Sequence, residues 1–288
     1  MDFNKIKLEH ILFGTAILLA GLVRFLNLGA APLNETEARL ALDARQIAQG
    51  ATEIGIFNPA PYPLYILVTS LLFSLFESTN FLARLLPALA GMGLLLVPIL
   101  LRNRVEKPAA LLLTFGLAID PGLVAASRLA SGPMLALVFG LLILIAWQQN
   151  HPRWAGFLGA LFLLSGPPAF QGILIALVTG GLLWLFMRPV KIFDLQDYFQ
   201  DRGSKDSRQA LNALFISFIV IGTLFLQVPQ GISALANSLL TYFKGWTSLP
   251  EIPAGRVIAA LAIYHPVGVI CIRRFDDITA KCIFRPQH

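Results

Sequence analysis

Long apolar runs that carry almost no charge constrain this chain more than any other feature. Residues 132–148 and 170–187, for example, contain no Asp, Glu, Lys or Arg. A helix needs about 20 apolar residues to cross the roughly 30 Å hydrocarbon core of a bilayer. Only 13% of the residues are charged, against about 25% in soluble domains. We therefore predict an all-α polytopic membrane protein.

The segment 62–76 decides the topology, because it is apolar but short for a crossing. If it does not cross, one face of the membrane receives most of the basic residues, as the positive-inside rule requires. Fifteen of the 22 are then cytoplasmic: Lys5, Lys7, Arg102, Arg104, Lys107, Arg153, Arg188, Lys191, Arg202, Lys205, Arg208, Arg273, Arg274, Lys281 and Arg285. We predict eight crossings with both termini cytoplasmic, at about 9–28, 81–101, 108–126, 132–148, 153–166, 170–187, 210–228 and 255–272.

The whole chain, 1–288, is thus expected to be a single transmembrane domain in the plasma membrane. Its first outer loop, 29–80, should contain surface helices at about 36–49 and 62–76. The first should lie along the membrane surface, with Leu40, Ala44, Ile47 and Ala48 on one face. A polar cytoplasmic loop is predicted at 188–209. An outer loop at 229–254 is predicted to include a surface helix, 230–243. Cytoplasmic Lys and Arg explain the net charge of +6, so we predict membrane lipids and no nucleic acid as partners.

In this topology the ionisable groups outside the cytoplasmic loops converge on the outer face from four chain segments. Charges near lipid are costly unless they are paired or lie in a watery cavity, which makes the cluster a candidate functional site. Carboxylates suit general-base work, and arginines hold phosphate bidentately. The cluster contains Arg24, Glu35, Glu37, Arg39, Arg84, Asp120 and Arg128.

An ordered series of short motifs runs through the first half of the chain: Arg24-x-x-Asn27-Leu28-Gly29, Glu37-Ala38-Arg39-x-Ala41, Pro61-x-Pro63-Leu64-Tyr65, Phe81-x-x-Arg84-Leu85-x-Pro87-Ala88-Leu89, and Pro121 with Ser127-Arg128. This series resembles the GT-C membrane glycosyltransferases, closest to the protein O-mannosyltransferase and lipid A aminoarabinose transferase superfamily. The resemblance implies a GT-C-like helical module that transfers a sugar from a polyprenyl-phosphate donor outside the cytoplasm. We predict catalytic roles for Glu37, Glu35 and Asp120, and donor-phosphate binding by Arg128, Arg84, Arg24 and Arg39. No metal site or cofactor is predicted, although a divalent metal is left open.

The chain departs from the family pattern at the first-loop motif. Thr36 stands where the family has its catalytic Asp, and the chain, ending at His288, is shorter than many members. The alternative is therefore a non-catalytic GT-C-like subunit, truncated or minimal, that binds a lipid-linked sugar or scaffolds a protein partner supplying C-terminal elements. Several of these charges also have a plainer role: Glu35 and Glu37 as N-terminal helix acids, Asp120 as a cap or partner of Arg128, and Arg24 and Arg84 as snorkelling residues.

Overall fold

The computed structural model describes residues 3–50, 61–101, 107–186, 204–224 and 230–247, together with 255, 256 and 259. Throughout these residues the regular structure is helical, which confirms the all-α prediction. The helices are α1 Phe3–Phe25, α2 Glu35–Ala48, α3 Pro63–Leu75, α4 Asn80–Gly93, α5 Leu96–Leu101, α6 Lys107–Ile119, α7 Pro121–Ser127, α8 Pro133–Gln148, α9 Pro152–Leu164, α10 Pro167–Phe186, α11 Ser204–Gly222 and α12 Gln230–Thr247.

The membrane-crossing capacity of these helices is lower than the eight spans predicted. By length and composition, one helix could cross, Asn80–Leu101, which contains α4 and α5. The number rises to three if two bent pairs each form one span: α6 with α7, at 56°, and α9 with α10, at 117°. The predicted last span, 255–272, lies outside the described residues except for 255, 256 and 259. Most of the predicted loop 188–209 also lies outside them, while 204–209 begin α11.

The directions of the helices follow from contacts at their ends. At one end of α1, Lys107 Nζ lies 3.5 Å from Glu9 Oε2. At the other end, Arg24 Nη1 donates to the Ala118 carbonyl at 2.9 Å. The starts of α1 and α6 are therefore adjacent and so are their ends, which makes the two helices parallel. We call the end that contains Arg24 the clasp end.

Helix α3 begins and ends near the clasp end. Its first turn abuts Gly132, where an added Cβ would collide with the ring of Tyr62. After its last residue, Leu75, residues 76–79 lead to α4, whose Arg84 contacts the loop that follows α1. Within the protein α3 is central, since Leu64, Tyr65, Ile66 and Leu67 are all buried.

The apolar face of α2 packs on protein. Leu40, Ala44 and Ile47 share a face, as predicted, but they are buried in one cluster with Leu64 and Tyr65 of α3. The expectation that this face lies along the membrane is corrected, because α3 covers it. Such burial stabilises by roughly 1.5–3 kcal/mol for each large aliphatic side chain, which is enough to hold α2 against the bundle.

Helices α9 and α11 form a close pair through small residues. A Cβ added at Gly156 would meet the carbonyl of Ala210, and one at Gly159 would lie 3.2 Å from Leu214 Cδ1. Further along, Gly222 faces Leu164 in the same manner. Because the contacts advance together along both helices, α9 and α11 run parallel. Close backbone approach at glycine is typical of helix packing in membranes.

Candidate functional site

Glu37 lies in the first turn of α2 and is the acceptor on which three chain segments meet. Asn34 caps the helix: its side-chain oxygen accepts from Glu37 N, and Glu37 Oε2 in return accepts from Asn34 N at 3.0 Å. Glu37 Oε1 accepts from Ala130 N at 2.7 Å, and Arg84 donates to both carboxylate oxygens. A carboxylate offers about four lone-pair sites, so these contacts use its whole accepting capacity. The residue is 3% exposed.

Arg84, near the start of α4, is the partner of Glu37 and is equally saturated. Its Nε donates to Glu37 Oε1 at 3.1 Å and its Nη2 to Oε2 at 2.9 Å, a bidentate pair. The other three N–H groups reach carbonyls of the loop after α1. These carbonyls belong to Leu28 at 3.1 Å, Ala31 at 2.9 Å and Pro32 at 3.0 Å. Since a guanidinium has about five N–H donors, Arg84 has none left for a ligand.

We call this arrangement, Glu37 with Arg84, Asn34 N and Ala130 N, the clasp. Burial alone would raise the pKa of Glu37 by penalising the carboxylate. The hydrogen bonds from Arg84, Ala130 and Asn34, together with the positive charge of Arg84, outweigh burial and lower the pKa. A general base is most effective with a pKa near the working pH. The clasp shifts Glu37 in the opposite direction and keeps it ionised.

Arg24 of α1 is fully buried and clamps the end of α6. Its Nη1 donates to the Ala118 carbonyl and its Nη2 to the Leu117 carbonyl, both at 2.9 Å. Carbonyls in the last turn of a helix lack intrahelical partners and carry its negative partial charge, so a cation there is favourable. The Nε packs on α4, since a Cβ added at Gly91 would lie 2.8 Å from it.

Arg128, directly after α7, clamps the end of α1 in turn. Its Nη1 donates to the carbonyls of Val23 at 2.7 Å and Leu26 at 2.9 Å, and its Nη2 to that of Asn27 at 3.4 Å. The side chain is only partly buried. Its Nε and one further N–H make no hydrogen bond to a described residue. Arg24 also has an Nε without a hydrogen-bond partner in the described part of the chain, but Arg24 is fully buried, so of these two arginines only Arg128 has spare donors that a ligand could reach.

Asp120 forms the break between α6 and α7. Its Oδ1 accepts from Leu123 N at 2.8 Å, which makes it the N-cap of α7, and Pro121 follows at the first helical position. The structure therefore gives this residue the capping role that was the alternative to catalysis. Its carboxylate also attracts the buried guanidinium of Arg24 electrostatically.

Glu35 and Arg39 lie outside the clasp, on the exposed face of α2. Arg39 Nη2 is 3.6 Å from Glu35 Oε1, with side chains 76% and 90% exposed. Thr36, at the position of the family's Asp, donates its hydroxyl to Asn34 Oδ1 at 2.7 Å. The structure thus separates the predicted residues into saturated ones, Glu37 and Arg84, and accessible ones, Glu35 and Arg39.

Sequence reasoning missed the partners that define the site. Ala130 contributes only its backbone N–H, which every residue other than proline has, and the arginines bind backbone carbonyls, which every residue has. For metal binding, the part of the chain that the structure describes contains no group of three or more His, Cys, Asp or Glu that could hold an ion.

Comparisons with known proteins do not add an assignment to this geometry. No protein-family model, curated protein or solved structure matches the chain.

Proposed function

We propose that this chain is a non-catalytic membrane subunit with a GT-C-like helical module, which scaffolds a protein partner and does not itself transfer a sugar. The observation that carries the proposal is the saturation of the clasp. Glu37 accepts four hydrogen bonds and Arg84 donates five, all within the chain. Neither group has a free site for an acceptor hydroxyl or a donor phosphate, so the cluster acts as a structural joint.

The eight-crossing topology belongs to this proposal, with both termini cytoplasmic in a plasma membrane. Its support is the parallel direction of α1 and α6. If α4 and α5 together make the only crossing between α1 and α6, then α6 is the third crossing and runs parallel to α1, the first crossing. If α3 also crossed, α6 would be the fourth and run antiparallel. Exposed apolar side chains such as Leu18, Leu177 and Phe215 supply surface for lipid.

A second candidate is the glycosyltransferase itself, with a polyprenyl-phosphate sugar as donor. The observation that favours it is the spare donor capacity of the partly exposed Arg128, together with the exposed carboxylate of Glu35. In this alternative Arg128 neutralises the departing phosphate and Glu35 orients the acceptor. Glu37 and Arg84 then support the site without touching the substrate.

One set of variants tests both functions. Purified protein in liposomes is offered polyprenyl-phosphate sugars, and transfer to water or to added acceptors is measured. The proposal expects no turnover in the natural chain, so measurable transfer would overturn it. Transfer that is lost in Glu35→Gln or Arg128→Met, with unchanged thermal stability, would establish the second candidate.

A further inference from the structure

Helix α12 has three distinct faces, and the first of them is bound to the protein. Ala234 and Ser238 are buried and Tyr242 is half-buried, at intervals of four residues. Ser238 Oγ donates to the carbonyl of Pro61 at 2.9 Å, just before α3. The Tyr242 hydroxyl donates to Gln171 Oε1 of α10 at 3.0 Å. These contacts fix both the position and the rotation of α12.

The other two faces are largely exposed, and one is apolar while the other is polar. Leu239, Phe243 and Trp246 lie on one side, and all three are exposed. On the opposite side, Asn237, Thr241 and Lys244 recur at intervals of four and three residues. Residues in a helix advance by about 100° each, which places the centres of these two sets roughly half a turn apart. The helix is therefore amphipathic in the surface that its own protein leaves open.

We propose that the apolar face of α12 is occupied by the headgroup–acyl boundary of a lipid bilayer, an inference that rests on the proposed membrane placement. Tryptophan and tyrosine concentrate at this boundary, where one end of the ring is wet and the other apolar. The ring of Tyr242 lies 6.0 Å from that of Trp246 and 5.7 Å from that of Phe243, so the aromatic groups form one patch. On the opposite face Lys244 reaches water or lipid phosphate.

Continuity with α10 selects lipid over a protein as the occupant. The Tyr242 ring lies 6.0 Å from that of Phe170 in the first turn of α10. Beyond that turn α10 exposes Ile173, Ile175 and Leu177, an apolar surface without a single charge. The apolar face of α12 thus continues the exposed apolar surface of α10, which suits hydrocarbon. The polar face of α12 marks where this apolar surface ends and the headgroup region begins. Sequence periodicity predicted a surface helix here, and the structure identifies which of its faces the bilayer covers.

Depth-dependent quenching tests the inference. A protein with Trp246 as its only tryptophan (Trp147→Phe, Trp154→Phe and Trp184→Phe) is reconstituted in phosphatidylcholine vesicles with bromines near the glycerol or near the chain end. An interfacial helix lies about 5–10 Å into the headgroup–acyl boundary, so shallow bromines should quench roughly twofold more than deep ones. The matched reporter is Leu177→Trp in the same background with Trp246→Phe, which deep bromines should quench more.

Each remaining outcome counts against the inference in a distinguishable way. If Trp246 stays unquenched while the Leu177→Trp reporter is quenched, the assignment of lipid to the apolar face of α12 is wrong, but the membrane placement of the protein stands. If neither is quenched, the membrane placement of the proposed function fails and takes this inference with it. Disulfide formation between copies of Phe243→Cys, with both native cysteines changed to Ser, would assign the face to a second copy instead.

Discussion

Replacing Glu37 by glutamine tests the clasp directly, because the change removes the charge but almost no volume. The amide NH2 takes the place of one carboxylate oxygen, so a hydrogen-bond donor then faces the Arg84 N–H and the backbone N–H that this oxygen accepted from. Either oxygen accepts one bond from Arg84 and one from a backbone N–H, so two of the four bonds are lost whichever way the amide turns. A hydrogen bond to a charged group contributes about 1.5–3 kcal/mol, so losing two gives a loss of roughly 3–6 kcal/mol. Removing one partner of a buried ion pair costs about the same.

The measurement is the free energy of unfolding in detergent micelles, followed by tryptophan fluorescence. Glu35→Gln is the matched control, because it is the same change two residues away in an exposed pair, and it should cost at most about 0.5 kcal/mol. A Glu37→Gln loss below about 1 kcal/mol, no more than an average point substitution costs, would refute the saturation argument. The double variant with Arg84→Met should lose less than the sum of the single losses, by about 0.5–3 kcal/mol of coupling.

Three further predictions concern the pH dependence of the clasp and substitutions at Gly91 and Gly166. The lowered pKa of Glu37 means that its stabilisation is present above its ordinary pKa of 4.5 and is lost as the pH falls through the folded value; the natural chain should therefore lose more unfolding free energy than Glu37→Gln between neutral and acid pH. Gly91→Ala places a methyl group 2.8 Å from Arg24 Nε and should destabilise by about 1–3 kcal/mol, whereas Gly116→Ala, with no atom within 4 Å, should be neutral or gain up to about 1 kcal/mol. Gly166 has a φ of +84° and its added Cβ would collide with a backbone carbonyl, so Gly166→Ala should lower the thermal midpoint by more than Gly91→Ala.

The sequence anticipates the local features of the site well. The acids Glu35 and Glu37 indicate the start of a helix, and the structure has the N-terminus of α2 there, with Glu37 in its capping box. Pro63 begins α3 close to the predicted boundary. These signals work because caps and prolines act within one turn, on groups that are close in the chain.

The partners of the charged groups could not be read in the same way. Glu37 finds Arg84 at a separation of 47 residues and the N–H of Ala130 at 93. The Nη1 and Nη2 groups of Arg24 bind backbone carbonyls, which no side chain marks. Sequence reasoning therefore identified the charges but assigned them to a ligand, when tertiary packing supplies internal partners. For the same reason it predicted lipid at the apolar face of α2, which α3 covers.

The separations in the clasp also impose an order on biosynthesis. In a growing chain Glu37 is made 47 residues before Arg84 and 93 residues before Ala130. During that interval the carboxylate must remain hydrated, because burying an unpaired charge is costly. Closure of the first loop therefore waits at least until α4 supplies Arg84, and the clasp is complete only when the turn after α7 supplies Ala130 N. A protease site engineered into that loop would be cleaved most readily in nascent chains that stop before α4 and least readily in chains that extend past the turn after α7.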